Sequence, residues 1–370
     1  MSHIKAFIKR EVTLCAALGA ALISAFFVPP DASYLGYMDW RTLALLYCLM
    51  VVVSGLRRAG VFDVLAHIVC IRASTVRTMG ILLVALCFVS SMLLTNDVAL
   101  LTFVPFAVVV LGMAGEMNSL AWVVVLQTVA ANLGSMLTPV GNPQNLYLFS
   151  HYGLPMGEFL GITAPVWCLS AVFLGLLCIL LLPKTPVSVF LGEKPTLEKI
   201  PLAVYTVLFM VCMLVVFRVT SWQVMLVVVA AVLLIYERKA LLHADFLLLV
   251  TFVCFFIFSG NLRRIDAVAN LLQGLLAGHE MLVGAACSQV ISNVPAALLL
   301  SGFTENARGL LLGVNIGGLG TPIASLASLI SLKLYSHSDS ADTRRYMGKF
   351  LAANFGLLAL LLGISTLFLP

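Results

Sequence analysis

The sequence predicts an all-α polytopic membrane protein, an inverted repeat of two units that each hold a re-entrant hairpin and a broken transmembrane helix. Three observations predict it. Hydrophobic residues make up 62% of the 370 residues and charged residues 10%, whereas soluble domains run at roughly 45–50% apolar and about 25% charged. Nearly every window of about 20 residues between short polar loops is a spanning candidate, which leaves room for about ten or eleven membrane segments plus hairpins and for no soluble domain. The third observation is internal repetition. "NLGSMLTPVGNPQNL" from Asn132 is matched by "NIGGLGTPIASLASL" from Asn315, with Asn132/Asn315, Gly134/Gly317, Thr138/Thr321 and Pro139/Pro322 at one constant offset. Upstream, "LLTNDVALL" pairs with "VISNVPAALLL", which sets Asn96 opposite Asn293, and "VSGLRRAGVFDVL" from Val53 pairs with "FSGNLRRIDAVANLL" from Phe258.

The elements follow in order. Lys5, Lys9 and Arg10, then an apolar run to Val28, resemble a signal peptide. The run is long enough to span and "VPPDAS" is a poor cleavage site, so it reads as an uncleaved first helix. Spans are placed at about 12–29, 41–56, 158–182, 201–217, 222–235, 245–260 and 346–369, with broken or re-entrant elements between them. With the N-terminus cytoplasmic and the C-terminus outside, the inside segments 1–11, 57–77, 183–200, 236–244 and 333–349 hold every Lys and Arg except Arg41, Arg218, Arg263, Arg264 and Arg308, the asymmetry that orients membrane proteins. The first unit, 1–182, then begins inside. The second, 222–370, begins outside, because the linker and extra helix at 183–221 flip the parity. Segments 60–73 and 265–277 are amphipathic and predict interfacial helices.

"VPAALLLSGF" after Asn293 gives ten residues before Thr304, about 15 Å of helix and half of a ~30 Å core. The stretch from His279 to Ser292 is also short. Together they predict a hairpin with its tip at 292–294, and by symmetry a first hairpin with its tip at 95–97. The segments near 138–145 and 321–328 read as breaks inside spanning helices. Pro139 and Pro143 cannot donate backbone hydrogen bonds and Gly141 frees the chain. Carbonyls released at membrane depth must be met by protein, water or a bound ion. Half-helix N-termini suit an anion, and freed carbonyls with amide oxygens suit Na⁺. Prolines, glycine and amides recur beside a hairpin tip in both halves, which favours a binding site over an ordinary kink.

The candidate substrate- and ion-binding residues are Thr95, Asn96 and Asp97 at the first tip, and Asn132, Thr138, Pro139, Gly141, Asn142, Pro143 and Asn145 around the first break. Ser292 and Asn293 stand at the second tip, with Asn315, Gly317, Thr321, Pro322 and Ser325 around the second break. A Na⁺ ion is expected near Asn96, Asp97, Gly141 and Asn142. The second half lacks the Gly-Asn-Pro-Gln-Asn run and carries Ser325 and Ser328 instead, so the first half-site is the more cation-competent. Asp97 is a costly residue at membrane depth. It reads as a Na⁺ ligand or proton carrier, or as the N-cap of "VALLTFV". Arg57, Arg58, Arg263 and Arg264 end spans, where they snorkel or set topology and could draw an anion to the mouths of a pathway. The nine cysteines are scattered singly with no CxxC, and read as small buried hydrophobes. The histidines are assigned no chemistry.

At "LLTNDVAL", "TPVGNPQNL", "SQVISNVPA" and "NIGGLGTP" the chain resembles the ion transporter superfamily with a citrate-transporter-like domain. That group includes arsenite permeases, divalent anion/sodium symporters and sodium/proton antiporters. The similarity covers almost the whole chain and is greatest to short bacterial inner-membrane transporters. The resemblance implies a homodimer in the bacterial inner membrane, with a scaffold, a moving transport part and an elevator-like motion. In the divalent-anion branch, Ser-Asn-Thr at both tips binds sodium and substrate carboxylates. The matching residues here are Thr95-Asn96-Asp97 and Ser292-Asn293-Val294, so two hydroxyls are missing and Asp97 would repel an anion. That leaves room for a neutral or cationic substrate, or for proton coupling.

The expected function is a secondary active transporter of a small anion or metalloid oxyanion, coupled to Na⁺ or H⁺, with a Na⁺/H⁺ antiporter on the same scaffold as the alternative. The expected partners are the anion, the lipid bilayer and a second copy. No cofactor is expected. A nucleic-acid partner would need a basic face that the sequence lacks. No Ser/His, paired-Asp or HExxH arrangement supports an intramembrane enzyme, and no P-loop supports an ATP-driven mechanism. The asymmetric half-sites disfavour a channel.

Overall fold

The computed structural model describes residues 11–113, 115–187, 195–338 and 341–368. Lys5, Lys9, Arg10 and Lys194 lie outside the described residues. Every regular element described is a helix. The first half comprises α1 (Val12–Phe27), α2 (Trp40–Arg58), α3 (Val61–Arg72), α4 (Val76–Ser90), α5 (Asn96–Met113), α6 (Met117–Ser135), α7 (Pro143–His151) and α8 (Met156–Leu181). After α9 (Lys199–Val216) come α10 (Trp222–Tyr236), α11 (Phe246–Arg263), α12 (Asp266–Leu276), α13 (Glu280–Ile291), α14 (Asn293–Leu300), α15 (Ala307–Ile316), α16 (Leu326–Ser336) and α17 (Thr343–Phe368). The lengths of α10–α13 and α17 follow those of α1–α4 and α8, whereas α14 and α15, of 8 and 10 residues, are about half as long as α5 and α6, of 18 and 19. Local chemistry repeats too. Asp39 and Asp245 cap α2 and α11 by accepting from the N–H of Thr42 and Leu248 at 2.9 and 3.0 Å.

Among the described residues, six helices are long and apolar enough to cross a membrane: α2, α6, α8, α9, α11 and α17. The other expected segments resolve into shorter apolar helices. α1 and α10, of 16 and 15 residues, reach roughly 22–24 Å at 1.5 Å per residue. Pro29 and Pro30 follow the first, and Glu237 and Arg238 the second. The axis turns by 114° between amphipathic α12 and α13.

α1 packs on α11, and α2 on α9 and α10. The first arm of each hairpin packs on the adjacent broken helix, α4 on α6 and α13 on α15. The second arms cross over: α5 packs on α16 and α14 on α7. Burial ranks the helices. The most apolar window of α6 is 83% buried and that of α8 only 22%, so α6 is central and α8 is a lipid-facing wall. Exposed Leu180, Val207, Met210 and Ile235 on α8, α9 and α10 continue that apolar surface.

Candidate functional site

Each broken helix stops where proline and glycine forbid its continuation. α6 ends at Ser135 and α7 begins at Pro143, while α15 ends at Ile316 and α16 begins at Leu326. Asn142 caps α7, its Oδ1 accepting from Asn145 N–H at 2.9 Å. The hairpin tips dock onto these breaks in the same way. The backbone N–H of Asn96 donates to the Gly141 carbonyl (3.2 Å), and that of Asn293 to the Ala324 carbonyl (2.9 Å). Each tip asparagine turns its Oδ1 onto the next N–H, Asp97 at 3.0 Å and Val294 at 2.9 Å. Thr138 and Thr321 clasp the hairpins, donating to the carbonyls of Met92 and Gln289. Ser292 closes the second tip at φ 75°, ψ 155°, a region that is essentially glycine's own and is held only where the surroundings enforce it.

The two half-sites are tied together through buried amides. Asn132 Oδ1 accepts from Asn96 Nδ2 at 3.1 Å and from Ser325 Oγ at 2.9 Å. In the mirrored position, Asn315 Oδ1 accepts from Asn142 Nδ2 at 3.2 Å, and Asn315 Nδ2 donates to Asn145 Oδ1 at 2.6 Å. Asn132 therefore reaches into the second half and Asn315 into the first.

Protein side chains meet the carbonyls released by the breaks. Asn145 Nδ2 faces the carbonyls of Ser135, Met136 and Thr138 at 3.4, 3.1 and 3.2 Å. Gln289 Nε2 donates to Gly317 and Leu319 at 2.8 and 2.9 Å, and its Oε1 accepts from Thr321 N–H at 2.8 Å. In both halves an amide nitrogen sits where converging carbonyls would otherwise gather a cation. Gln289 was missed in the sequence. Its one signal is a polar residue just before the tip in "AACSQVIS".

Asp97 is the second residue of α5, and the local capping contact belongs to Asn96. Its Oδ1 is buried without a hydrogen-bond partner among the described residues. It faces a cavity of about 300 Å³ lined also by Thr95, Asn142, Pro143, Arg57, His243 and Asp245. Asn96, Asn132, Asn145, Asn315, Asn293, Ser292 and Ser325 are at most 5% exposed and do not line this cavity. Pro139, Gly141 and Gly317 are buried, and Thr138, Thr321 and Pro322 are half-buried. A Cβ on Gly141 would fall 2.1 Å from the Ser135 carbonyl oxygen, so only glycine fits. Helices start at Asn96, Pro143, Asn293 and Leu326, so partial positive charge gathers at the tips and breaks, although the N–H groups of Asn96, Asp97, Asn145, Asn293 and Val294 are already paired within the protein.

A second cavity, of about 540 Å³, is lined by Asp39, Arg41, Tyr147, His151, Arg263 and Arg264 among others. Arg57 at the end of α2 shares the first cavity with Asp245 at the start of α11. Asp39 at the start of α2 shares the second with Arg263 at the end of α11. The two helices thus run antiparallel, with a cavity at each end. Pro143 opens α7 in the first cavity and Tyr147 and His151 lie in the second, so α7 forms the partition. The first cavity reaches a hairpin tip, whereas Ser292 and Asn293 line neither. Asp245, His243 and His151 were not among the sequence candidates. Among the described residues, no group of three or more His, Cys, Asp or Glu could hold a metal ion.

Comparison with known proteins places the sequence among transporters. The citrate transporter family model matches residues 5–307. The inner membrane protein YbiR of Escherichia coli is 32% identical over 336 residues, 88% of this chain and 87% of its own. The uncharacterized transporter MJ0456 of Methanocaldococcus jannaschii is 33% identical over 300 residues, 80% of this chain and 81% of its own. The silicon efflux transporter LSI3 of Oryza sativa subsp. japonica is 35% identical over 138 residues, 37% of this chain and 28% of its own.

Proposed function

The chain belongs to the citrate transporter family, a multi-pass membrane protein, and from that premise we propose that it is a proton-coupled secondary active transporter of a small anion or metalloid oxyacid. The observation that carries this reading is the meeting of half-helix N-termini and paired amides beside a cavity that reaches one hairpin tip and leaves the other sealed. The partial positive charge of helix N-termini attracts negative charge. Amides supply both donors and acceptors, which suits an oxyacid carrying both hydroxyl and oxo groups. The silicon efflux transporter's name is in keeping with an oxyacid of this kind.

Asp97 supplies the coupling. An ionised carboxylate at the site opposes an incoming anion, and a protonated one does not. Proton and anion therefore favour each other's binding, and by linkage the effect is reciprocal. Sodium is the weaker reading. The Gly141 carbonyl is taken by Asn96 N–H and the other break carbonyls by Asn145 and Gln289, so few free oxygens remain to replace an ion's water. The same occupancy weakens a Na⁺/H⁺ antiporter.

Antiparallel α2 and α11, with their reciprocal cavities, support the inverted-repeat reading. The amides that join the two half-sites support movement of hairpins and broken helices as one body, as an elevator requires. The test is flux into proteoliposomes for a panel of small anions and oxyacids, under a pH gradient and under a sodium gradient. The expected result is accumulation of one solute driven by the pH gradient alone, lost in Asp97→Asn while passive exchange of that solute persists. Flux driven by sodium at symmetrical pH would reject proton coupling, and no gradient-driven flux of any solute would reject transport of this class.

A further inference from the structure

We propose that the second cavity is an anion-collecting vestibule, a binding site for small inorganic or organic anions distinct from the amide site on the other side of α7. Its charges carry the inference. Arg41 and Arg263 line it, and each is anchored through one nitrogen to a backbone carbonyl: Arg41 Nη2 to Val215 at 2.9 Å, and Arg263 Nε to Gly302 at 2.7 Å. A guanidinium carries five N–H donors and one fixed charge. A carbonyl holds it in place without neutralising it, so both cations are fixed at the cavity wall with their charge intact.

Of the nearby opposite charges, one is paired and two offset part of the positive charge. Asp31 pairs with Arg264 at 2.8 Å. Asp39 accepts from the N–H and the hydroxyl of Thr42 at 2.9 and 2.6 Å. Glu305 is close enough to act electrostatically on His151. Arg218 adds positive charge behind the wall, its guanidinium 5.4 Å from the Phe149 ring centroid on α7.

Two features separate a vestibule from an ordinary topological anchor. Snorkelling arginines extend towards headgroups, whereas Arg41 and Arg263 converge on a concave space of about 540 Å³. The charge is also predominantly positive, with Arg41, Arg263 and Arg264 against Asp39 on the cavity wall. The first cavity sets Arg57 against two carboxylates, Asp97 and Asp245, and offers no comparable positive excess. A low-dielectric funnel with an excess of one sign raises the local concentration of counter-ions, by about 10-fold to 10³-fold at the strongest. Onward passage of a collected anion rests on the transport reading, but its binding in the vestibule does not.

The test measures local potential directly and needs no knowledge of the transported solute. Ser150 lies on the cavity wall. In a variant otherwise free of cysteine and held in nanodiscs, the Ser150→Cys thiol is reacted with an anionic and with a cationic methanethiosulfonate. The ratio of the two rates cancels any change in thiol acidity. At low salt the expected ratio favours the anionic reagent by about tenfold over the ratio for free cysteine. It falls towards the free-cysteine value in about 1 M salt, where the screening length is about 3 Å. Arg41→Gln and Arg263→Gln lower it, and Arg263→Lys restores it. The Leu93→Cys thiol in the first cavity shows no anionic preference. A low-salt ratio at Ser150→Cys within about twofold of free cysteine overturns the vestibule, even if either glutamine variant fails to fold. An equal anionic preference at Leu93→Cys overturns it too, since the potential would not belong to this cavity. Either result leaves the flux experiment standing.

Discussion

Asn145 shows how one side chain decides what a broken helix can bind. Its amide nitrogen faces three carbonyls that Pro139, Gly141 and Pro143 have released from helical pairing. Its oxygen accepts from Asn315 across the two halves. Asn145→Ala removes donor and acceptor together. A buried polar group left unsatisfied costs about 1–3 kcal/mol, and several are exposed here, so the expected loss is at the upper end of that range, read from the unfolding midpoint in detergent. The same variant opens an oxygen-lined space of a kind that sodium favours. Its melting temperature is expected to rise in sodium chloride over choline chloride, while the unsubstituted protein stays indifferent. A sodium-specific rise in the unsubstituted protein would mean that Asn145 and Gln289 do not seal the carbonyls, and would return sodium to the coupling role.

Between helices, the site is held by close approach of each hairpin to its broken helix. A Cβ on Gly134 of α6 would fall 2.1 Å from the Phe88 carbonyl oxygen on α4, and one on Gly317 would fall 2.7 Å from Ala285 Cα on α13. Backbone atoms on both sides cannot yield as a flexible side chain would, so Gly134→Ala is expected to cost about 1–3 kcal/mol by overpacking. Gly112→Ala, in open space on α5, is expected to leave the midpoint unchanged or slightly raised. Equal midpoints for the two variants would refute the close contact. These glycines also mark what could be read in the chain. Gly, Pro and Asn act on their own backbone, so the breaks, both tips and the paired order of motifs were legible from residue type and spacing. The partners of the amides were not. Asn132 meeting Ser325, or Asn315 meeting Asn142 and Asn145, is a tertiary match between distant segments and leaves no local period. Gln289 was missed because the residue opposite it in the repeat is Met92, so the repeat itself hid a polar role that only the second half has. Asp97 as the cap of α5 was a plausible local reading, and the neighbouring Asn96 supplies that contact instead.

At the scale of the whole molecule the asymmetry lies between two cavities that occupy matching places in the two halves. Arg57 and Asp245 stand at one, Arg263 and Asp39 at the other. Yet only the first reaches its hairpin tip. Thr95 lines that cavity, whereas its counterpart Ser292 is 4% exposed and lines neither. If the halves are inverted copies, a second state of similar energy follows from exchanging their conformations: the second tip opens and the first closes. Two such states separated by a few kcal/mol leave the minor one populated at roughly 0.1–10%. A thiol at Thr95→Cys is therefore expected to react readily with a soluble reagent, and one at Ser292→Cys at roughly 0.1–10% of that rate. A solute and proton gradient that drives turnover should slow the first thiol and speed the second, because each opening is the other's closure. A static pore would leave both rates unchanged by the gradient. A site that merely loosens would speed both. Only reciprocal movement of the two rates fits one site presented in turn to opposite sides, and rates that move together would exclude alternating access for this chain.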